Sequence, residues 1–526
     1  MILRPLLIVV LVLLSASEIS PQTWWNNTHS LKTLDINKVK IPINNSGGIE
    51  STVWDHNSRS HYIIYDHGLW VVGKINNKIH LALKQWRSSY SPGPIINNDA
   101  AMNIHPEDSA KFRVYKIGVT DTINPGKDYL EWPSEIGAPV NSDNLPVIYN
   151  HQSTWTVYNS LDSSLNDRKA WNQHLDSLPV FPIEVQQLVY ASEYGQQDWI
   201  RDIVFFEWLI INKGSETIDS AYFGLWSDID FHELFNIPAV DTTLNLGYCW
   251  SPQDSGYFIP LAVGYLFRYG PIIQSPGDTA IFNGTKRNNY KNLDMTSFHG
   301  IGDDSILDPI YGPARSVNAA WNFAKGLDAN GNPIIDPTTG QPTKFPANGD
   351  PVTNTGYIFP FPPVGGGAGL VMFTGPVNIA PGDSQWVMAA LVVSSGDDYK
   401  DAIVKLREKA GIIQTMTYDQ LVTKQSALPP PFFPPKRFYL SQNFPNPFNN
   451  GTKIFFDIPN TSTVTISVYD MLGEKVKEIL NEVKTPGSYE VSFNLEGQAS
   501  GVYFYQIFAP DGSGHFIQTK KMILLK

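Results

Sequence analysis

The chain has 526 residues, enough for several domains. Only 17% are charged, 12% are aromatic, and glycine and proline number 40 and 39, a composition of strands and turns rather than of long charged helices. A net charge of −12 is the wrong sign for neutralising phosphates, so no nucleic-acid partner is expected, and the single cysteine, Cys249, excludes an intrachain disulfide.

From the start of the chain, Leu6 to Leu14 form an unbroken apolar run, followed by Ser15, Ala16 and Ser17. This pattern predicts a secretory signal peptide over residues 1–20, cleaved near Ser17. The run is about half the ~20 residues that a membrane-spanning helix needs, and no later stretch is long or apolar enough, so the mature chain is expected to have no membrane-spanning segment.

An acidic, β-rich body is expected over residues 21–426. Its clearest strands are Val185 to Tyr190, Ile203 to Ile211 and Ala221 to Trp226, and the turn Asn212-Lys213-Gly214-Ser215 predicts that the last two form an antiparallel pair. A further strand, Gln385 to Ser394, follows the turn Ala380-Pro381-Gly382-Asp383. Asp398 to Thr415 reads as a helix, capped by Asp397 or Asp398, with Ala402, Leu406, Ala410 and Ile413 on one face. The expected class is all-β: a large β-sandwich-like body plus a small C-terminal immunoglobulin-like β-sandwich.

Two acidic loops in the body are candidate Ca²⁺ sites, because hard oxygen ligands grouped on a loop suit that ion. One gathers Asp228, Asp230, Glu233 and Asp241; the other places Asp328, Asn330 and Asn332 at alternate positions around Gly331, with Asp336 beyond. Other chemistry is excluded residue by residue. His232-Glu233-Leu234-Phe235-Asn236 has Asn236 where a zinc protease helix needs its second histidine. The spacing of His56, His61 and His67 matches no common zinc geometry. Gly365-Gly366-Gly367-Ala368-Gly369 lacks the lysine and hydroxyl of a phosphate loop, and Cys249 sits among aromatic neighbours, where a thiol is inert packing. All 14 tryptophans precede residue 437. Most are expected in the core, with the others free to form a platform for a glycan ligand, while Trp132-Pro133 reads as a loop anchor rather than a site.

Residues 427–436 form a stiff proline-rich linker, Ala427-Leu428-Pro429-Pro430-Pro431-Phe432-Phe433-Pro434-Pro435-Lys436. After it, apolar runs at Ile454 to Ile458, Val464 to Tyr469, Tyr489 to Leu495, Val502 to Phe508 and Phe516 to Leu525 predict a small antiparallel sandwich over residues 437–526. That segment holds eight basic and eight acidic residues, so the net charge belongs to the rest of the chain.

Five ordered motifs in this last segment carry a resemblance. They are Asn443-Phe444-Pro445-Asn446-Pro447-Phe448, Asp470-Met471-Leu472-Gly473, Gly487-Ser488-Tyr489, Gly501-Val502-Tyr503, and Lys520-Lys521. Together they resemble the type A C-terminal sorting domain of the type IX secretion system of Bacteroidetes and their relatives. The resemblance implies export through the periplasm to the outside or the outer cell surface, with the outer-membrane secretion machinery as partner. In the body, Gly224-Leu225-Trp226-Ser227-Asp228-Ile229-Asp230 and Gly349-Asp350-Pro351-Val352-Thr353 resemble secreted proteins that carry the same sorting domain, a group that brings no activity with it. The cargo is expected to act in binding or as a structural surface component. The alternative is a secreted carbohydrate-active enzyme, whose paired carboxylates would stand about 5 Å or about 6.5–9.5 Å apart.

Overall fold

The computed structural model describes residues 30–525 except 58, 86–87, 105, 163–178, 194–197, 232–235, 253–258, 302–316, 360–368, 427–437, 444, 450 and 511–513. The expected signal peptide, the proline-rich linker, Glu233 with its neighbours His232 to Phe235, and Gly365 to Ala368 of the glycine run lie outside the described residues. The chain divides into two compact units, residues 1–427 and 428–526.

The first unit is built on two large antiparallel sheets. In the first, the order is Leu31–Leu34, Val39–Asn44, Ile49–His56, Arg59–Ile75, Ile218–Ile229, Gly369–Ile379 and Met295–Ile301, with Lys78–Leu83 also paired to Arg59–Ile75. In the second it is Ile237–Asp241, Leu246–Trp250, Leu261–Tyr269, Ser384–Ser395, Ile203–Asn212, Phe181–Ala191 and Gln152–Ser160. Ser91–Pro92 and Tyr115–Gly118 both pair with the last of these.

Strand periodicity builds the core between the sheets. Along Ile203–Asn212, every second residue (Val204, Phe206, Trp208, Ile210) enters one cluster, where it meets Ile63, Leu69 and Val71 of the first sheet. The alternate residues Phe205 and Glu207 are also buried, on the other face. Trp70, Val72, Tyr222 and Trp226 form a second apolar cluster with Ala319, Ala320, Phe323 and Ala324 of the helix Val317–Ala324. Covering a strand on both faces is what makes it read as a continuous apolar run.

The predicted helix is present as Tyr399–Thr415, with Ala402, Leu406, Ala410 and Ile413 buried. Of the two candidate caps, Asp398 takes the position and accepts a hydrogen bond from the Asp401 amide at 2.8 Å.

One expectation fails. Ile203–Asn212 and Ile218–Ile229 are not paired with each other. The former pairs with Phe181–Ala191 and Ser384–Ser395, the latter with Arg59–Ile75 and Gly369–Ile379. The five residues between them form a corner from one sheet to the other, tied by Asn212. Its Nδ2 donates to the carbonyls of Glu216 and Ile379, both at 2.9 Å, and its Oδ1 accepts from the Gly214 amide at 2.9 Å. Both strands are apolar on both faces, so each needs a covered sheet interior, and a solvent-facing hairpin would leave one face of each bare.

The second unit is a small sandwich of a three-stranded sheet (Tyr439–Leu440, Thr452–Ile458, Gly487–Phe493) and a four-stranded sheet (Lys475–Lys484, Ser462–Tyr469, Gly501–Pro510, His515–Leu524). Ile454, Phe456, Val464, Ile466, Tyr505 and Ile507 contribute to its core.

Candidate functional site

In the first unit, the far edge of the second sheet carries a cavity of about 860 Å³, lined among others by Arg113, Tyr115, Lys127, Glu131, Trp132 and Glu135. The strand Tyr115–Gly118 supplies one wall, and the single helical turn Lys127–Leu130 with the residues after it supplies the other. Arg113 organises the site: its NH2 lies 3.0 Å from Asp128 Oδ1 and 3.0 Å from Glu131 Oε2, and its guanidinium stands 4.0 Å over the Tyr115 ring. The Trp132 indole donates to the Pro139 carbonyl at 3.0 Å and meets Tyr115 edge-on at 6.1 Å. Trp132 is thus the loop anchor that its sequence suggested but, against that expectation, also part of the wall of a candidate site. Tyr115 donates to the Lys111 carbonyl at 3.0 Å, and burial pushes its phenol above the ordinary tyrosine value. Lys127 and Glu131 are exposed at 77% and 55%, so charges of both signs stand at the mouth. The site can engage a polar ligand with charged and hydrogen-bonding groups, with aromatic edges behind them.

Of the first candidate calcium loop, Asp228 lies in Ile218–Ile229, opposite Asp66 in register, and the Asp230 amide donates to the Ile63 carbonyl at 3.1 Å. Asp241 ends another strand in the other sheet. Its carboxylate accepts from the Thr243 amide at 3.1 Å and lies 3.5 Å from Arg407, which also pairs with Asp350 at 2.8 Å and with the Tyr248 hydroxyl at 3.0 Å. In the second loop, Asp328 accepts from the amides of Asn330 and Asn332 and from Asn332 Nδ2, at 2.8–3.1 Å. Asp336 accepts from the amide and hydroxyl of Thr338, both at 2.7 Å. These turn bonds hold both carboxyls below the usual aspartate value: for Asp336 they are the main cause, and for Asp328 they outweigh the opposing cost of burial. Among the described residues, no three histidine, cysteine, aspartate or glutamate side chains come together in a metal-holding group.

The histidines divide. His56 stacks on Trp54 at 4.6 Å and His61 tilts against the same ring at 6.3 Å. His67 is buried, stacked on Tyr265 at 4.5 Å, and neither ring nitrogen has a hydrogen-bond partner. Burial pushes its pKa down to about 3. Cys249 is buried and its thiol is raised well above the ordinary value by that burial, as inert packing requires. Trp54, Trp70, Trp208, Trp226 and Trp386 are fully buried and offer no platform.

Sequence reasoning missed a buried charge centre around Asp202. Asp202 accepts from the Trp54 indole at 2.9 Å, with Lys409 of the helix at 2.8 Å and Lys38 at 3.3 Å. Its members come from three distant parts of the chain, so no local spacing could announce it.

In the second unit, the motif residues close the sandwich. Asn443 Nδ2 donates to the Pro445 carbonyl and to Thr452 Oγ1, both at 3.0 Å, while Asn446 Oδ1 accepts from the Ile523 amide at 2.9 Å. Phe448, after Pro447, is buried, and its backbone bonds Ile523 and Leu525 of the last strand region at 3.0 and 2.8 Å. Gln442 Nε2 donates to the Lys521 carbonyl at 2.7 Å. Gly473 turns the chain at φ +84°, where a side chain would be strained. Gly487 and Gly501 each open a strand, Val502 pairs with Ile523, and the Tyr503 hydroxyl donates to the Ala499 carbonyl at 2.9 Å.

Fold and motif placement define the class, a two-unit all-β protein whose smaller unit is a self-contained sandwich. Residues 442–524 match the family model of the secretion system C-terminal sorting domain, so the second unit is a sorting domain of the type IX secretion system. Such a domain implies export by that system, to the cell surface or beyond, and engagement of its machinery. No curated protein matches the chain. Among solved structures, a polysaccharide lyase is 8% identical with a TM-score of 0.28, over 94% of this chain and 47% of its own, so the chain spans about half of the lyase's length. Dimeric latent PorU from Porphyromonas gingivalis is 13% identical with a TM-score of 0.15, over 65% of this chain and 26% of its own. Neither likeness carries an argument about fold or activity here. Among the described residues, no helix is long and apolar enough to cross a membrane.

Proposed function

We propose that the first unit is the cargo of this export route and acts outside the cell as a binding component, taking a polar, hydroxyl-rich ligand of the glycan class in the Arg113 cavity. The observation that supports this reading is the combination of a filled sandwich interior, in which Trp54, Trp70, Trp208, Trp226 and Trp386 are fully buried, and a ligand-sized opening with charges of both signs at its mouth. Binding of soluble polysaccharides to the secreted protein tests it. Saturable binding that weakens about tenfold when Lys127 and Glu135 at the mouth are both changed to alanine supports the reading, and a glycan panel without saturable binding refutes it. Deleting residues 437–526 tests the export half, since continued appearance of the cargo outside the cell would defeat it.

A carbohydrate-active enzyme is the second reading, because Glu131 and Glu135 line the same cavity. Release of new sugar ends from a polysaccharide, lost in Glu135→Gln, would favour it over simple binding.

A further inference from the structure

Three neighbouring strands bring a lysine and two carboxylates together at a place unrelated to the cavity. Glu50 of Ile49–His56 stands opposite Asp66 of Arg59–Ile75 in register, and Lys84 follows directly on Lys78–Leu83, its amide bonded to the Leu69 carbonyl at 3.2 Å. Lys84 Nζ lies 2.8 Å from Asp66 Oδ2, 3.1 Å from Asp66 Oδ1 and 3.9 Å from Glu50 Oε1, and it also donates to the Gln85 carbonyl. The Lys84 and Asp66 side chains are each 4% exposed. Two glycines confine the lysine stem: a Cβ at Gly48 would stand 2.0 Å from Lys84 Cε, and one at Gly68 would stand 2.5 Å from Lys84 Cβ. The amine is therefore held against one carboxyl group with little freedom to leave.

We propose that Lys84 and Asp66 join through an intramolecular isopeptide bond. A buried ion pair carries a desolvation cost that the neutral amine and acid avoid. Burial raises the Asp66 carboxyl to about 7, so the acid form is well populated near neutrality. The Lys84 nitrogen lone pair attacks Asp66 Cγ and forms the C–N bond. Glu50 accepts the proton that the nitrogen sheds and returns it to the departing hydroxyl; the C–O bond breaks and one water leaves. Nothing is oxidised or reduced, and Glu50 ends as it began. Its carboxylate is placed for this by Asn44, whose Nδ2 donates to Glu50 Oε1 at 2.7 Å, and its side chain is 43% exposed, which gives the water a way out. The bond would staple two segments of a chain whose single cysteine allows no disulfide.

The test is peptide mapping of the denatured, purified protein by tandem mass spectrometry. The expected species is the Asp66 peptide joined to the Lys84 peptide, about 18 Da (one water) below their summed mass. Lys84→Arg keeps the charge and abolishes the linked species. Glu50→Gln keeps a carbonyl oxygen for Asn44 and yields mainly the two free peptides. Free Asp66 and Lys84 peptides of normal mass in the unaltered protein overturn the proposal, as does a water loss that fragmentation places at other residues. Full linkage in Glu50→Gln overturns the role given to Glu50.

Discussion

Replacing His67 with phenylalanine isolates the acid sensitivity of the body. The imidazole is 1% exposed, lies 4.5 Å from Tyr265 and 5.5 Å from Phe206, and has no partner for either nitrogen. Its pKa falls from 6.5 in the unfolded chain to about 3 in the fold, through burial first and, where Lys84 stays unlinked, its cation second. The unfolded chain therefore binds the proton first. The contribution to stability is complete above pH 6.5 and is lost as pH falls toward 3. At about 1.4 kcal/mol per pH unit the full loss is about 5 kcal/mol, of which about 2 kcal/mol has gone by pH 5. Where Asp66 stays unlinked it opposes this, because its raised pKa adds stability as pH falls through about 7, and buried His299, at about 4, acts in the same direction as His67. The comparison with His67→Phe removes both from the balance, since the variant keeps the ring stack and loses only the titrating nitrogens. Urea unfolding followed by tryptophan fluorescence reports on the body alone, because no tryptophan lies after residue 436. Between pH 7 and pH 5 the unaltered protein should lose about 2 kcal/mol more than the variant. Equal losses in the two proteins would refute the burial argument.

Asn212→Ala removes three hydrogen bonds of 2.9 Å from a buried corner between sheets and should cost about 2–3 kcal/mol, read as a lower melting midpoint. Asp202→Ala leaves Lys409 and the Trp54 indole facing an empty position and should cost about 3 kcal/mol in the same measurement, whereas a neutral result would mean that water replaces the carboxylate. Excess calcium against chelator tests the two acidic loops, where Asp241 is paired with Arg407 while Asp328 and Asp336 are engaged by their own turns, and an unchanged midpoint would refute an ion there. A rise of several degrees would show that these loops rearrange around the ion.

What could be read from the residues was local. The apolar stretch Ile203–Asn212, the helix Tyr399–Thr415 with its aspartate cap, and the turn-separated runs of the sorting domain all show their periodicity within a few residues. Sheet membership is set by pairing between distant segments, so the corner at Asn212 looked like a hairpin. The edge strand Lys475–Lys484 escaped notice because charged residues fall on both its faces, as suits an exposed edge. The five strands between Leu31 and Leu83 were also missed, since stretches such as Asp55 to His61 interrupt the apolar pattern with polar residues. Of the sites, the acidic loops were visible as composition, but the partners that occupy Asp241 come from Arg407, far along the chain. The Lys84–Asp66 pairing depends on register, to which a single sequence is nearly silent.

The central pairings of the body also govern the order of its assembly. Ile203–Asn212 waits for Ser384–Ser395, and Ile218–Ile229 waits for Gly369–Ile379, so each large sheet has a gap at its middle until the chain has emerged through Ser395. Until then, two long apolar strands present open hydrogen-bonding edges to any other chain nearby. Folding of this unit is accordingly expected to be slow and late, its contacts being far apart in sequence. Fragments that end before Ser395 are expected to aggregate, and a holding chaperone would have these two edges to shield.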